Sequence, residues 1–112
     1  MNELTMLEVQ LLDEYYRCER NLSVFEKRLE EAEYHGYISR KNIRGCESFY
    51  LQWREGDKVK SKYVKKQDLD AVTKVLERNK YYKKNIKKLK HSMKILTKTL
   101  GKKKIEAYRG EI

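Results

Sequence analysis

Apolar residues in the first third of the chain recur at steps of three and four. From about Glu3 to Tyr34, the positions Leu4, Leu11, Tyr15, Cys18, Leu22, Phe25, Leu29 and Ala32 keep a helical period, with Glu8 as the one polar interruption. The chain contains no proline to break such a run. The spacing predicts a helix over residues 3–34 that ends near His35-Gly36, where Gly36 can take a left-handed conformation without steric cost. A second periodic run follows Lys65-Lys66-Gln67, with Asp68 placed as its N-cap. From there Val72, Val75, Asn79, Tyr82, Ile86, Leu89, Met93, Leu96 and Leu100 alternate threes and fours without a slip. That regularity predicts a coiled-coil-like helix over 68–100, and residues 101–112, beginning at Gly101, read as a frayed tail.

Between the two runs the period falls from about 3.6 to 2. Tyr37–Arg44, Ser48–Arg54 and Lys58–Val64 read as three short strands, separated by turns at Arg44-Gly45-Cys46-Glu47 and Glu55-Gly56-Asp57. The economical arrangement is an antiparallel β-meander over 37–64. The predicted class is therefore α+β: two long antiparallel coiled-coil-like helices with a three-stranded meander inserted between them, in a single domain of 112 residues. In the second strand Phe49, Leu51 and Trp53 point one way and Tyr50, Gln52 and Arg54 the other; in the third, Val59, Ser61 and Tyr63 oppose Lys60, Lys62 and Val64. One face is then expected to be apolar and to cover the helical hairpin, and the other to be basic with an aromatic insert.

Asn79 holds a seam position where an aliphatic residue would pack better. It reads either as a tolerated polar residue near the sheet end or as a device for register or partner choice. Glu19, Glu26 and Glu33 flank the first seam, and Leu76, Lys83 and Lys90 flank the second. In an antiparallel hairpin these shoulders would face each other, and the expectation is that Glu19 and Glu26 neutralise Lys83 and Lys90.

Charge is distributed unevenly. The formal net charge is +10, yet residues 1–35 carry nine acids against four bases, and residues 36–112 carry eight acids against twenty-three bases. The densest stretch, Lys74 to Lys104, holds thirteen Lys or Arg and one acid, Glu77. Such a surplus suits a polyanionic partner. On the second helix Lys80, Lys84, Lys87, Lys88, Lys94 and Lys98 fall opposite the seam, and the sheet is expected to gather Arg40, Tyr50, Gln52, Arg54, Lys60 and Lys62 on its basic face. Cations suit phosphates, while the amide, the Arg fork and a ring suit bases. A solvated Lys-rich surface is the plain alternative for both groups.

Residues Gly36 to Val64 resemble a motif in small, mostly uncharacterised bacterial and archaeal proteins often linked to mobile elements. The matching segments are Gly36-Tyr37-Ile38, Phe49-Tyr50-Leu51-Gln52-Trp53-Arg54-Glu55-Gly56 and Lys58-Val59-Lys60-Ser61-Lys62-Tyr63. The resemblance implies a mobile-element setting and a sheet-plus-helices fold, and it brings no catalytic residues with it. Where the similar proteins often carry a second glycine after Arg-Glu-Gly, this chain has Asp57.

The two cysteines, Cys18 and Cys46, match no metal-ligand spacing and read as free thiols. The amino terminus lacks the pattern of a signal peptide, and no apolar run approaches a membrane span, so a cytoplasmic protein without membrane association is expected. No phosphate-cradling loop, metal cluster or activated nucleophile is visible, so the chain reads as a non-enzyme needing no cofactor and no metal. Three functions stay open at this level. The chain could be a module binding DNA or RNA or a nucleoprotein. It could be a protein-directed, anti-CRISPR-like inhibitor of a host defence nuclease, encoded by a phage or mobile element. It could also be a structural coiled-coil adaptor. A homodimer, with the hairpin either closed within one chain or swapped, is compatible with each.

Overall fold

The computed structural model describes residues 3–109. The order of elements is helix α1 (Met6–Glu30), strands β1 (Tyr37–Ile43), β2 (Cys46–Glu55) and β3 (Lys58–Val64), helix α2 (Lys66–Leu100) and helix α3 (Lys102–Arg109). The α+β class and the meander between two long helices are as the periodicity predicts, with three helices among the described residues. These residues form two compact units. One combines the chain up to Arg28 with the chain from Lys83 onward, and the other is Leu29–Tyr82.

In the helical unit, α1 starts at a reciprocal cap. The Thr5 N–H donates to Glu8 Oε1 at 3.1 Å, and the Glu8 N–H donates to Thr5 Oγ1 at 3.1 Å. This is a capping box, and it explains why a carboxylate interrupts the apolar stripe at position 8. The core joins the beginning of α1 to the end of α2: Leu12 and Tyr16 pack with Leu96, Leu100 and Ile105, flanked by Leu4, Leu11, Tyr15 and Tyr108. Leu12 is completely buried.

Ile105 belongs to α3, so the segment expected to fray is a docked helix. Gly101, at φ +86°, ends α2 in a left-handed cap whose N–H donates to the Thr97 carbonyl at 2.9 Å. The reversed chain then lays Ile105 against α1. The Tyr16 hydroxyl donates to the Ile105 carbonyl, and the Tyr16 and Tyr108 rings stack at 6.1 Å between centroids. A short run such as Lys102-Lys103-Lys104-Ile105-Glu106-Ala107-Tyr108-Arg109 has no sustained seam of its own. Its stability comes from tertiary docking, which periodicity does not report.

In the sheet unit, the strand order is β1-β2-β3, antiparallel throughout. Leu51 and Val64 pack on Val72 and Leu76 of α2, with Tyr34, Ile38, Phe49, Trp53 and Leu69 around them. Asp68 lies inside the first turn of α2, its N–H bonded to the Lys65 carbonyl at 2.9 Å, because that helix begins two residues earlier than its expected cap. Asn79 is 4% exposed and its Nδ2 donates to the Tyr34 carbonyl at 2.7 Å. The seam amide therefore ties down the connection between α1 and β1. Gly36 is separated from the end of α1 at Glu30 and serves the entry to β1 instead. A Cβ at Gly36 would lie 1.9 Å from the Gln52 carbonyl oxygen, and φ is +101°.

Candidate nucleic-acid interface

Both hairpin turns are two residues long, and that fixes which side chains share a face. Ile43 pairs with Cys46 across Arg44-Gly45, where both central residues have positive φ, 52° and 79°, as a type I′ turn requires. Glu55 pairs with Lys58 across Gly56-Asp57, where only Gly56 has positive φ, as in a type II′ turn. A two-residue turn in place of a three-residue one changes strand parity by one, and a shift of one exchanges the faces.

The six sheet residues expected on one basic face are divided as a result. Tyr50, Gln52 and Arg54 remain together on the outer face, away from α2. Arg40 lies opposite Phe49, Lys62 opposite Leu51 and Lys60 opposite Trp53, so these three share the face that packs on α2. Their positions on the edge strands make this tolerable. The aliphatic stems can lie on the sheet while the charges reach water, and inward-pointing edge charges also discourage further strand pairing. Arg40 is 3.8 Å from Glu47, and its guanidinium stands 5.6 Å from the centre of the Phe49 ring. Lys62 borders an open cleft of about 260 Å³ whose walls include Tyr34, Leu51 and Val72.

In exchange, the outer face gains Tyr37, Lys41 and Tyr63. Across the strands, Tyr37 sits opposite Gln52 and Gln52 opposite Ser61; Ser39 sits opposite Tyr50 and Tyr50 opposite Tyr63. Tyr37 and Tyr63 are 57% and 55% exposed. The Tyr50 and Tyr63 rings meet edge to face at 5.7 Å, and Lys41 Nζ lies 4.8 Å from the centre of the Tyr50 ring. The strand carboxylates Glu47 and Glu55 have the opposite parity, so the outer face carries Lys41 and Arg54 and no acid. The Gly-Asp dipeptide between two alternating runs was the available signal for the shorter turn.

In the helical unit, Lys84, Lys87, Lys88, Lys94 and Lys98 are all exposed. At 100° per residue they occupy an arc of about 120° opposite the seam. None lies within ion-pairing distance of a carboxylate among the described residues. Four of the six acids of α1 are engaged elsewhere: Lys104 bonds Glu8, the Tyr108 hydroxyl donates to Asp13 at 2.6 Å, Arg17 pairs with Glu14 at 2.9 Å, and Arg109 pairs with Glu19 at 2.6 Å. Among the described residues no ion pair joins Glu19 or Glu26 to Lys83 or Lys90, so the expected neutralisation is absent; Glu19 pairs with Arg109 of α3 instead. The Lys104 ammonium and the Thr5 cap hold the Glu8 carboxyl below its ordinary value of 4.5. Lys80, in the sheet unit, is also exposed and borders a shallow cleft with Gly36, Tyr37 and Ile38.

Burial and the nearby Glu14 push the Cys18 thiol up, whereas Cys46 is exposed at the start of β2. No helix is long and apolar enough to cross a membrane among the described residues, and no cluster of three or more potential metal ligands occurs among them.

Residues 7–74 match the family model of DUF6788, a domain of unknown function, over more than half of the chain. The chain belongs to the DUF6788 family. Its matched segment contains nearly all of α1, the whole sheet and the beginning of α2, so the outer face lies within the DUF6788 region. The lysines from Lys84 to Lys98 and helix α3 lie beyond it. No curated protein and no solved structure gives a match.

Proposed function

We propose that the protein is a small nucleic-acid-binding module. The supporting observation is the set of five exposed lysines on α2, Lys84, Lys87, Lys88, Lys94 and Lys98, none paired with a carboxylate among the described residues. A solvated helix face ordinarily mixes signs, whereas the segment from Lys84 to Lys98 contains no acid. Unpaired ammonium groups repel one another, and a phosphate backbone relieves that repulsion while releasing its condensed counterions. The outer sheet face adds Lys41 and Arg54 with aromatic rings and the Gln52 amide, groups that can meet bases as well as phosphates.

Fluorescence anisotropy with labelled duplex DNA, single-stranded DNA and RNA tests the reading. Five lysine–phosphate contacts on a duplex give a slope of log K against log salt of roughly −4.5. Joint substitution of Lys84→Glu, Lys87→Glu and Lys88→Glu is expected to weaken binding by more than tenfold and flatten that slope. Absence of binding at low ionic strength, or affinity unchanged by the charge reversal, overturns the proposal.

A further inference from the structure

We infer that the outer face of the sheet is a stacking platform for unpaired bases, and that it gives the protein a preference for single-stranded nucleic acid over duplex. The inference rests on the nucleic-acid reading above, but a different surface carries it. Three tyrosines stand on this face, one from each strand: Tyr37, Tyr50 and Tyr63. Ser39 and Ser61 are small residues on the same face, one opposite Tyr50 and the other opposite Gln52. More than half of the surface of Tyr37 and of Tyr63 is open.

Tyrosine is common in strands because its ring packs against cross-strand neighbours. Tyr50 satisfies that ordinary role through its contacts with Tyr63 and Lys41. Tyr37 has no such neighbour directly across, since it faces the Gln52 amide, and Tyr63 keeps much of its ring in water despite its edge contact. Open ring faces with a cation and an amide beside them, and no acid on the same face, match the chemistry of an unpaired nucleotide. The base stacks, Gln52 can donate to and accept from its edge, and Lys41 and Arg54 can meet the phosphates. A duplex hides the faces of its bases, and a sheet lying flat on it reaches only the backbone. Selectivity for single strands follows from the rings, whereas the helical lysines serve either form.

The test uses the full chain and compares a labelled oligothymidylate with a labelled duplex of the same length. Tyr63→Val and Tyr37→Val keep strand propensity and remove the ring; Tyr63→Phe keeps the ring. Each Val substitution is expected to weaken single-strand binding by about tenfold, as loss of one stacked base does, with duplex affinity changed less than about twofold. Tyr63→Phe should stay within about twofold on both ligands. Unchanged circular dichroism and Trp53 emission would show that the Val variants still fold. Equal affinity of the unaltered protein for single strand and duplex overturns the inference, as does an equal loss on both ligands or no loss on either. A protein that binds both forms alike and loses both on lysine reversal would retain the nucleic-acid reading and lose this one.

Discussion

Replacing Gly36 by alanine separates two costs that are usually confounded. At Gly36 the added Cβ would lie 1.9 Å from the Gln52 carbonyl oxygen, 2.8 Å from its carbon and 2.9 Å from Trp53 Cβ, and φ is +101°. At Gly45 φ is also positive, +79°, but nothing lies within 4 Å of the added atom. Gly45→Ala therefore meets only the backbone penalty, about 1–2 kcal/mol. Gly36→Ala meets a comparable or larger penalty, about 1–3 kcal/mol. It must also move more than 1 Å away from a backbone carbonyl to reach ordinary contact distance. Residue 36 immediately precedes the Tyr37–Gln52 pair, so the retreat disturbs the ladder between β1 and β2 and adds about 1–3 kcal/mol for two ladder hydrogen bonds weakened at about 0.5–1.5 kcal/mol each. The expected total is about 2–6 kcal/mol. Trp53 is the chain's single tryptophan and lies on the packed face of the same sheet, so its fluorescence reports this unit directly. With a urea m-value of about 1–3 kcal/mol/M, the Gly36→Ala midpoint should fall by at least about 0.7 M, with Gly45→Ala between it and the unaltered chain. Coincident midpoints for the two variants would refute the close approach as the reason for this glycine.

Two further outcomes concern the helical unit. Leu12→Ala, at a completely buried position, should lower stability by about 2–5 kcal/mol in thermal melts followed by far-UV circular dichroism, whereas Leu7→Ala, at an exposed position on the same helix, should change it by less than about 0.5 kcal/mol. A small effect of Leu12→Ala would contradict the docking of α3 and the end of α2 on α1. Because the Glu8 carboxyl is held below its ordinary 4.5, its pairing with Lys104 contributes stability that is present above that value and is lost as pH falls through the lower, folded value. Glu8→Gln preserves the capping box and removes the charge, so its melting temperature should lie below that of the unaltered chain at neutral pH and converge with it in acid. Parallel pH profiles would show that the ion pair contributes nothing.

The long α2 seam was legible because one helix carries its own period. Each seam position from Val72 to Leu100 is buried or half-buried, as the alternation of threes and fours requires. The strands were legible for a similar reason, their boundaries displaced by two residues at most. The face assignment was not. Val59, Ser61 and Tyr63 make the more apolar parity of β3, which draws them toward the core in any reading of that strand alone. Pairing overrides this preference, since β3 is an edge strand attached through Gly56-Asp57 and only Val64 of its residues becomes buried. The candidate site moved accordingly, from a basic patch to an aromatic one flanked by Lys41 and Arg54.

By itself, the sequence determined those features that depend on neighbours along the chain: two long helices, three strands, the glycines at the turns, and the surplus of positive charge after residue 36. Tertiary structure decided the features that depend on groups far apart in sequence. Glu8 and Glu19 find Lys104 and Arg109 some ninety residues away, Gly36 is required by Gln52, and α3 exists as a packed helix because Tyr16 and Leu12 receive it. Local periodicity follows from backbone geometry that every residue shares. Which charge is neutralised and which face meets water depends on distances set only when the elements pack.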